Sequence, residues 1–147
     1  MNTGKGTGDL NKAGRKESKG GAGQELERRI LHGVALEWTH AVSHLTATPK
    51  SSLQMPLFSL RDLNGQWGMW SRSKREISLS RRLVLNHSWD SVREVVLHEI
   101  AHQYVDEVFG AHNEPPHGAL FQKACHLLRA NPKSSGSYPP SGRTCSI

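Results

Sequence analysis

The chain has 147 residues, a formal net charge of +6, an apolar content of 35% and only two cysteines. No apolar run approaches the roughly 20 residues that cross a bilayer, and none follows the N-terminal lysines, so neither a membrane protein nor a secreted one is expected. Two cysteines do not favour a disulfide framework and are typical of a cytoplasmic protein, which includes one associated with the nucleoid or other DNA.

The two ends of the chain differ in composition from its middle. Residues 1–23 are rich in glycine and basic side chains, and residues 131–147 are rich in proline, serine and glycine. Such segments cannot bury enough apolar surface to offset their ordering entropy. We therefore predict a disordered basic N-terminal tail over 1–23, one domain over 24–130 and a disordered C-terminal tail over 131–147, and we expect a monomer.

A helix is predicted over residues 24–45, because apolar side chains recur there at steps of four and finally of three. They are Leu26, Ile30, Val34, Trp38, Val42 and Leu45. Thr48-Pro49 ends this pattern, since the residue before a proline is disfavoured in a helix.

Residues 56–80 alternate between apolar and polar side chains, which is the period of β-strands. Strands are predicted around Phe58–Leu60, Trp67–Trp70 and Ile77–Leu79. Asn64-Gly65, between the first two, is a strong hairpin signal. The pattern predicts a small antiparallel three-stranded sheet packed against helices, and therefore an α+β fold.

A long helix is predicted from about Trp89 to Phe109, with Ser88 as its N-cap and Gly110 as its stop. A last helix is predicted over residues 118–130. The long helix is apolar around most of its circumference and should lie buried, yet one side of it is polar. The polar residues on that side are Glu94, His98, Glu99, His102 and Asp106.

This polar side contains the sequence H-E-I-A-H, residues 98–102. Residues four apart differ by about 40° around a helix, so His98 and His102 can reach one ion. Glu99 can reach a water on that ion without being a ligand. Zinc lowers the pKa of such a water toward about 7, so the pattern predicts hydrolysis by zinc-activated water with Glu99 as general base. The alternative is two core histidines hydrogen bonded to Glu94 and Asp106.

A catalytic zinc normally has three protein ligands, and the sequence offers several candidates for the third. They are His117, His112, Glu114, Asp106 and Glu107. We favour Asp106 as a hydrogen-bond acceptor for His102, and Glu94 likewise for His98. Spacing alone allows either His112 or His117, and the stiff Pro115-Pro116 pair favours His117.

The sequence resembles the SprT-like metallopeptidases, which include the Spartan proteases, over roughly residues 26–130. That family pairs an H-E-x-x-H helix with a later H-G-x-x-F, and this chain has HEIAH followed by HGALF at residues 117–121. The segments NGQWG, residues 64–68, and ISLS, residues 77–80, are similar to the family's Gly/Trp hairpin and its following strand.

The resemblance implies a zincin-like minimal metallopeptidase domain that binds one zinc ion through His98, His102 and His117, with Glu99 as general base and a protein or peptide as substrate. In the Spartan branch the substrates are proteins crosslinked to DNA, which implies DNA as a partner here. Many relatives also carry a C-terminal zinc ribbon, and this chain lacks the paired CxxC motifs that a ribbon needs.

A basic cluster follows the predicted second strand and could bind DNA. Its members are Arg72, Lys74, Arg75, Arg81 and Arg82. Trp70 beside them could stack on an unpaired base, as aromatic residues do in single-strand binders. The alternative is that these charges are solvated and that Trp70 belongs to the core or its rim.

Two other functions compete with the peptidase. In a non-catalytic DNA-associated zinc protein the metal would only stabilise the fold, which leaves no use for Glu99. A metal-dependent hydrolase of non-peptide bonds is less compatible with the resemblance. Tyr104, His112 and His126 are all candidate donors to the oxyanion, and the sequence does not choose among them.

Overall fold

The computed structural model describes residues 20–45 and 53–133. The two predicted tails, except for residues 20–23 and 131–133, lie outside these ranges, and so does Thr48-Pro49. The described part is an α+β fold with a three-stranded mixed sheet and helices. Within it, no helix is both long and apolar enough to cross a membrane.

The first helix, α1, spans Gly20–Ser43, so it begins at residue 20 rather than at the predicted residue 24. The earlier start shows that the glycines at its N-terminus do not prevent helix formation. Val34 and Trp38 on its apolar side are buried in the core, as the four-residue period predicts, and so is Leu45 just after its end. Leu26 near its start is 48% exposed.

The sheet consists of β1 (Leu57–Arg61), β2 (Gly68–Ser71) and β3 (Glu76–Ser80), in the order β1-β3-β2. Strand β3 is antiparallel to β2 but parallel to β1. The prediction of an all-antiparallel sheet was therefore wrong, and so was the hairpin at Asn64-Gly65. Residues 62–67 instead connect β1 to the far side of β3.

A buried carboxylate explains why β1 pairs with β3 rather than with β2. Glu76 of β3 is only 8% exposed. It accepts hydrogen bonds from Ser59 and Arg61 of β1, with 2.8 Å between Arg61 Nη2 and Glu76 Oε1, and from Ser78 of its own strand. These donors hold the pKa of Glu76 at about 2. The hairpin signal is local, whereas satisfying a buried charge is a tertiary requirement that overrides it.

Three further helices follow the sheet. Helix α2, Arg81–Asn86, is short and was not predicted. Helix α3, Trp89–Tyr104, continues into a π-helical turn, Val105–Phe109, and Gly110 ends it in the left-handed region at φ 62°. Ser88 caps α3 by accepting a hydrogen bond from the Ser91 N–H, so the predicted limits of the long helix are confirmed. Helix α4 spans Ala119–Leu128.

Helix α3 is the centre of the fold. It contacts α1, α4 and the strands β2 and β3. Val92, Val96, Ile100 and Ala101 on this helix are at most 1% exposed. Any polar side chain that α3 carries on its buried sides must therefore find its partners within the protein.

Gln103 is the most buried of these polar side chains, with no exposed surface. Its Oε1 accepts a hydrogen bond from Trp38 Nε1 at 2.9 Å. Its Nε2 donates to the Gln54 carbonyl at 2.8 Å and to Glu107 Oε2 at 3.1 Å. Glu107 in turn accepts from Arg75 Nε at 2.6 Å. The side-chain amide of Gln103 thus joins three parts of the fold: helix α1, the residues just before β1 and the π-helical turn.

We predict that Gln103→Leu lowers the free energy of unfolding by about 2 kcal/mol or more, because it leaves buried donors and acceptors unpaired. Urea unfolding followed by circular dichroism measures this change. The matched control is Gln122→Leu on the exposed side of α4, which should change the free energy of unfolding little. Equal effects of the two substitutions would contradict the assigned role of Gln103.

Candidate metal centre

Three histidines converge on one point beside α3. His98 and His102 lie one turn apart on this helix, and His117 comes from the loop before α4. Their ligand nitrogen atoms all lie within 4.8 Å of one another, and His98 Nε2 is 3.2 Å from His117 Nε2. The three side chains could hold a metal ion.

The loop that carries His117 is held by specific contacts. Glu114 Oε1 accepts a hydrogen bond from the Leu120 N–H at 3.0 Å, and Gly118 N–H donates to the Pro115 carbonyl at 2.9 Å. Phe121 lies beneath the three imidazoles, with ring centroids 4.5–4.9 Å from theirs. The turn, the glutamate and the phenyl ring therefore fix His117 over α3.

The electrostatic state of the histidines suits metal binding. Burial lowers the pKa of His98 and His102 to about 4, and the neighbouring histidine rings act in the same direction. Both imidazoles are consequently neutral at pH 7, with lone pairs available to a cation. The buried Nδ1 of His98 has no hydrogen-bond partner in the described part of the chain. Three imidazoles that line an open cleft are a donor set typical of catalytic zinc sites.

Glu99 lies beside the histidines and is only 6% exposed. Burial raises the pKa of its carboxyl group to about 7, against the backbone N–H of Trp70, which donates to the carboxylate and lowers it. Strand β2 reaches this position because residue 68 is glycine. A Cβ on Gly68 would lie 2.7 Å from Val95 Cγ1 and 3.1 Å from Glu99 Cγ.

The histidines and Glu99 line a cleft of about 700 Å³. The edge strand β2 also lines it through Gly68 and Trp70, and the loop before α4 lines it through His112 and Glu114 as well as His117. The cleft therefore places a histidine cluster and a buried carboxylate where an elongated molecule could reach both.

Neither predicted partner of the histidines forms the expected hydrogen bond within the described residues. Glu94 is exposed, and the unpartnered Nδ1 of His98 shows that the expected hydrogen bond between them is not formed. Asp106 accepts a hydrogen bond from Trp70 Nε1 at 2.6 Å, and its Oδ1 lies 3.5 Å from His112 Nδ1. Within the described residues, Asp106 acts on His102 through its negative charge, which works to raise the pKa of that ring. The change of helical pitch after Tyr104 turns Asp106 toward β2.

The predicted basic cluster is divided in the structure. Arg75 is ion paired with Glu107, and Arg81 forms ion pairs with Glu27 and Asp62, so these two guanidinium groups are already engaged. The other three members are exposed. Arg72 and Lys74 precede β3, whereas Arg82 follows it, at the other end of a strand roughly 17 Å long.

Two residues that shape the site were not singled out for the roles they play. Gly68 was predicted only as a strand residue, although a glycine inside a strand is a signal of close approach by another group. Glu114 was considered as a metal ligand, but its carboxylate holds the start of α4. No local pattern predicts that contact, because Glu114 lies outside the helix, six residues before its partner.

The family model described as SprT-like matches residues 27–140 of the chain. No curated protein and no solved structure matches the chain.

The geometry predicts different roles for His117 and His112 in metal binding. We expect the full chain to bind about one zinc ion, and His117→Ala to lose most of it, because two histidines remain from a three-nitrogen set. His112 is not part of this set, so His112→Ala should retain zinc near the wild-type ratio. Metal analysis of the purified proteins measures both, and the reverse result would overturn the assignment.

Proposed function

Since the chain belongs to the SprT-like family, we propose that it is a zinc-dependent metalloendopeptidase with a zincin-like catalytic domain. The observation that carries this proposal is the position of Glu99. Its buried carboxyl group lines the same cleft as His98, His102 and His117 without belonging to their ligand set.

The histidines and Glu99 divide the chemistry between them. His98, His102 and His117 would hold the zinc ion, which when bound supplies Lewis-acid polarisation of a carbonyl group and acidifies water. Glu99 takes a proton from the attacking water as its oxygen bonds to the carbonyl carbon. The same carboxyl group then gives that proton to the leaving nitrogen as the C–N bond breaks. One water is consumed, and a carboxylic acid and an amine result.

The shape of the cleft supports a peptide as the substrate. Strand β2 is an edge strand, and its residues Gly68 and Trp70 line the cleft beside Glu99. An extended peptide can add to such an edge through main-chain hydrogen bonds. This arrangement would lay a peptide bond across the face of α3 that carries the histidines.

The rival function is a non-catalytic, DNA-associated zinc-binding protein. Structural zinc sites usually have four protein ligands and are closed. Here three histidines face an open cleft, and a glutamate is buried beside them at the cost of desolvation. A metal that only stabilises the fold gives no reason for that burial.

We predict that Glu99→Gln keeps zinc and the fold but lowers peptide hydrolysis by about 10²–10⁴-fold, because an amide cannot accept the proton from water. Digestion of casein or a histone measures the activity, and metal analysis with circular dichroism checks the rest.

The matched control is Glu94→Gln, which makes the same chemical change on the exposed side of the same helix. It should leave the activity close to that of the wild type. Comparable hydrolysis by the Glu99→Gln protein would remove this residue from the mechanism and leave the non-catalytic rival as the better account.

We further propose that the substrates include proteins associated with DNA. The support is the net charge of +6 and the exposed side chains of Arg72, Lys74 and Arg82. Since Arg75 and Arg81 are engaged in ion pairs, the three exposed residues and the basic N-terminal tail are the groups available to phosphates.

We predict weak, salt-sensitive DNA binding with little sequence preference, which gel shifts at several salt concentrations measure. Replacing Arg72 and Lys74 with alanine should reduce the slope of log K against log salt by up to about 2, one for each lost phosphate contact. The control is to replace Arg28 and Arg29 with alanine, which removes the same amount of positive charge. Because both of these residues are paired with Glu25, this change should weaken DNA binding less. Absence of binding at low salt would contradict the DNA-associated role.

A further inference from the structure

We propose that His112 is a catalytic residue, which donates an N–H to the carbonyl oxygen of the scissile bond as negative charge develops there. This inference rests on the proposed peptidase function and adds to it a group from the loop that follows the π-helical turn. It is carried by the position of His112, by the contacts that hold it and by the placement of the other candidate donors.

The structure separates the three side chains that could donate to the oxyanion. Tyr104 is only 3% exposed, and its ring packs on Phe109 in the core. His126 is exposed on α4, and it does not line the cleft. His112 lines the cleft together with His98, and 44% of its side chain is exposed, so a substrate can reach it.

His112 is also free of the metal-binding set. The nitrogen atoms that converge belong to His98, His102 and His117. His112 lies in the loop between the end of the π-helical turn and His117, and this loop contributes several residues to the lining of the cleft. His112 and the three metal-binding histidines therefore line the same space, which a substrate would fill.

The carboxylate of Asp106 lies beside the ring of His112. Its Oδ1 lies 3.5 Å from His112 Nδ1, and its Oδ2 accepts a hydrogen bond of 2.6 Å from Trp70 Nε1. Trp70 is itself held at Glu99, because its backbone N–H donates to that carboxylate. Trp70 therefore contacts Glu99 through its backbone N–H and Asp106, the neighbour of His112, through its indole N–H.

The ring chemistry of His112 suits the proposed role. An imidazole ring that carries a proton on each nitrogen has two N–H donors, and in His112 the nitrogen that faces the Asp106 carboxylate is Nδ1. The N–H on Nε2, on the other side of the ring, is left for the substrate. A donor placed in advance where charge develops stabilises the transition state more than the ground state, so its loss should lower kcat with little change in KM.

The test compares His112→Ala with His126→Ala in the full chain loaded with zinc. Loss of one oxyanion donor typically lowers kcat by about 10²–10³-fold. We expect a decrease of this order for His112→Ala on the casein peptide that the wild type cleaves best, with KM and zinc content nearly unchanged. His126→Ala should behave as the wild type.

Binding provides a second readout that does not depend on turnover. The probe is a phosphinic analogue of that casein peptide, whose tetrahedral group carries a negative oxygen. Calorimetry should show weaker binding of this probe to His112→Ala. The unmodified peptide should bind equally well to Glu99→Gln with or without His112→Ala. Asp106→Asn removes the negative charge beside His112. It should also lower kcat, but by a smaller factor than His112→Ala does.

Each outcome decides between the two proposals. A wild-type protein that cleaves neither casein nor a histone overturns the peptidase function itself. Cleavage by the wild type with an unchanged kcat in His112→Ala overturns only the role of His112. A raised KM with unchanged kcat, or equal loss of affinity for the peptide and its phosphinic analogue, would make His112 a substrate-binding residue and would also overturn the inference.

Discussion

The fold depends on the burial of polar side chains along helix α3. Gln103, His98 and Glu99 are all at most 6% exposed, on a helix that packs against other elements around most of its surface. Every partner of Gln103 is present, so this amide ties elements together. His98 keeps an unpartnered nitrogen, and Glu99 keeps a raised pKa. Polar groups left incomplete in a protein core are expected at functional sites. Helix α3 therefore carries both a fully hydrogen-bonded structural amide, Gln103, and a candidate functional carboxyl group, Glu99, one turn before it.

The π-helical turn that follows α3 contributes both to the hydrogen bonds of Gln103 and to the cleft. Its two adjacent acidic residues face different partners: Glu107 accepts from Gln103 and Arg75, whereas Asp106 accepts from Trp70 in the cleft. In a regular helix neighbouring side chains diverge by about 100°, and a π turn changes that direction locally. This turn therefore connects the structural network of Gln103 with the wall of the cleft that His112 occupies.

The parts of the structure that follow from local rules were predicted from the sequence. The limits of the long helix are an example, because Ser88 and Gly110 act through their own backbone neighbours. The parallel pairing of β1 with β3 was not predicted, since it depends on how Glu76 is satisfied across the sheet. The division of the basic residues was also missed, because the partners of Arg75 and Arg81 are remote in sequence.

Two glycines explain why the cleft requires its particular sequence. A Cβ on Gly118 would lie 2.7 Å from Glu114 Oε1, the atom that holds the start of α4. A Cβ on Gly68 would lie 3.3 Å from Glu99 Oε1.

Neither glycine has a positive φ, so it is the space and not the backbone conformation that excludes a side chain. Each glycine gives room to one glutamate: Gly118 to Glu114, which holds the start of α4 after His117, and Gly68 to Glu99, the buried carboxyl group of α3. The glycine of the H-G-x-x-F motif is therefore a packing requirement of the histidine cluster. The phenylalanine of the motif is also a packing requirement of this cluster, because Phe121 contacts the rings of all three histidines.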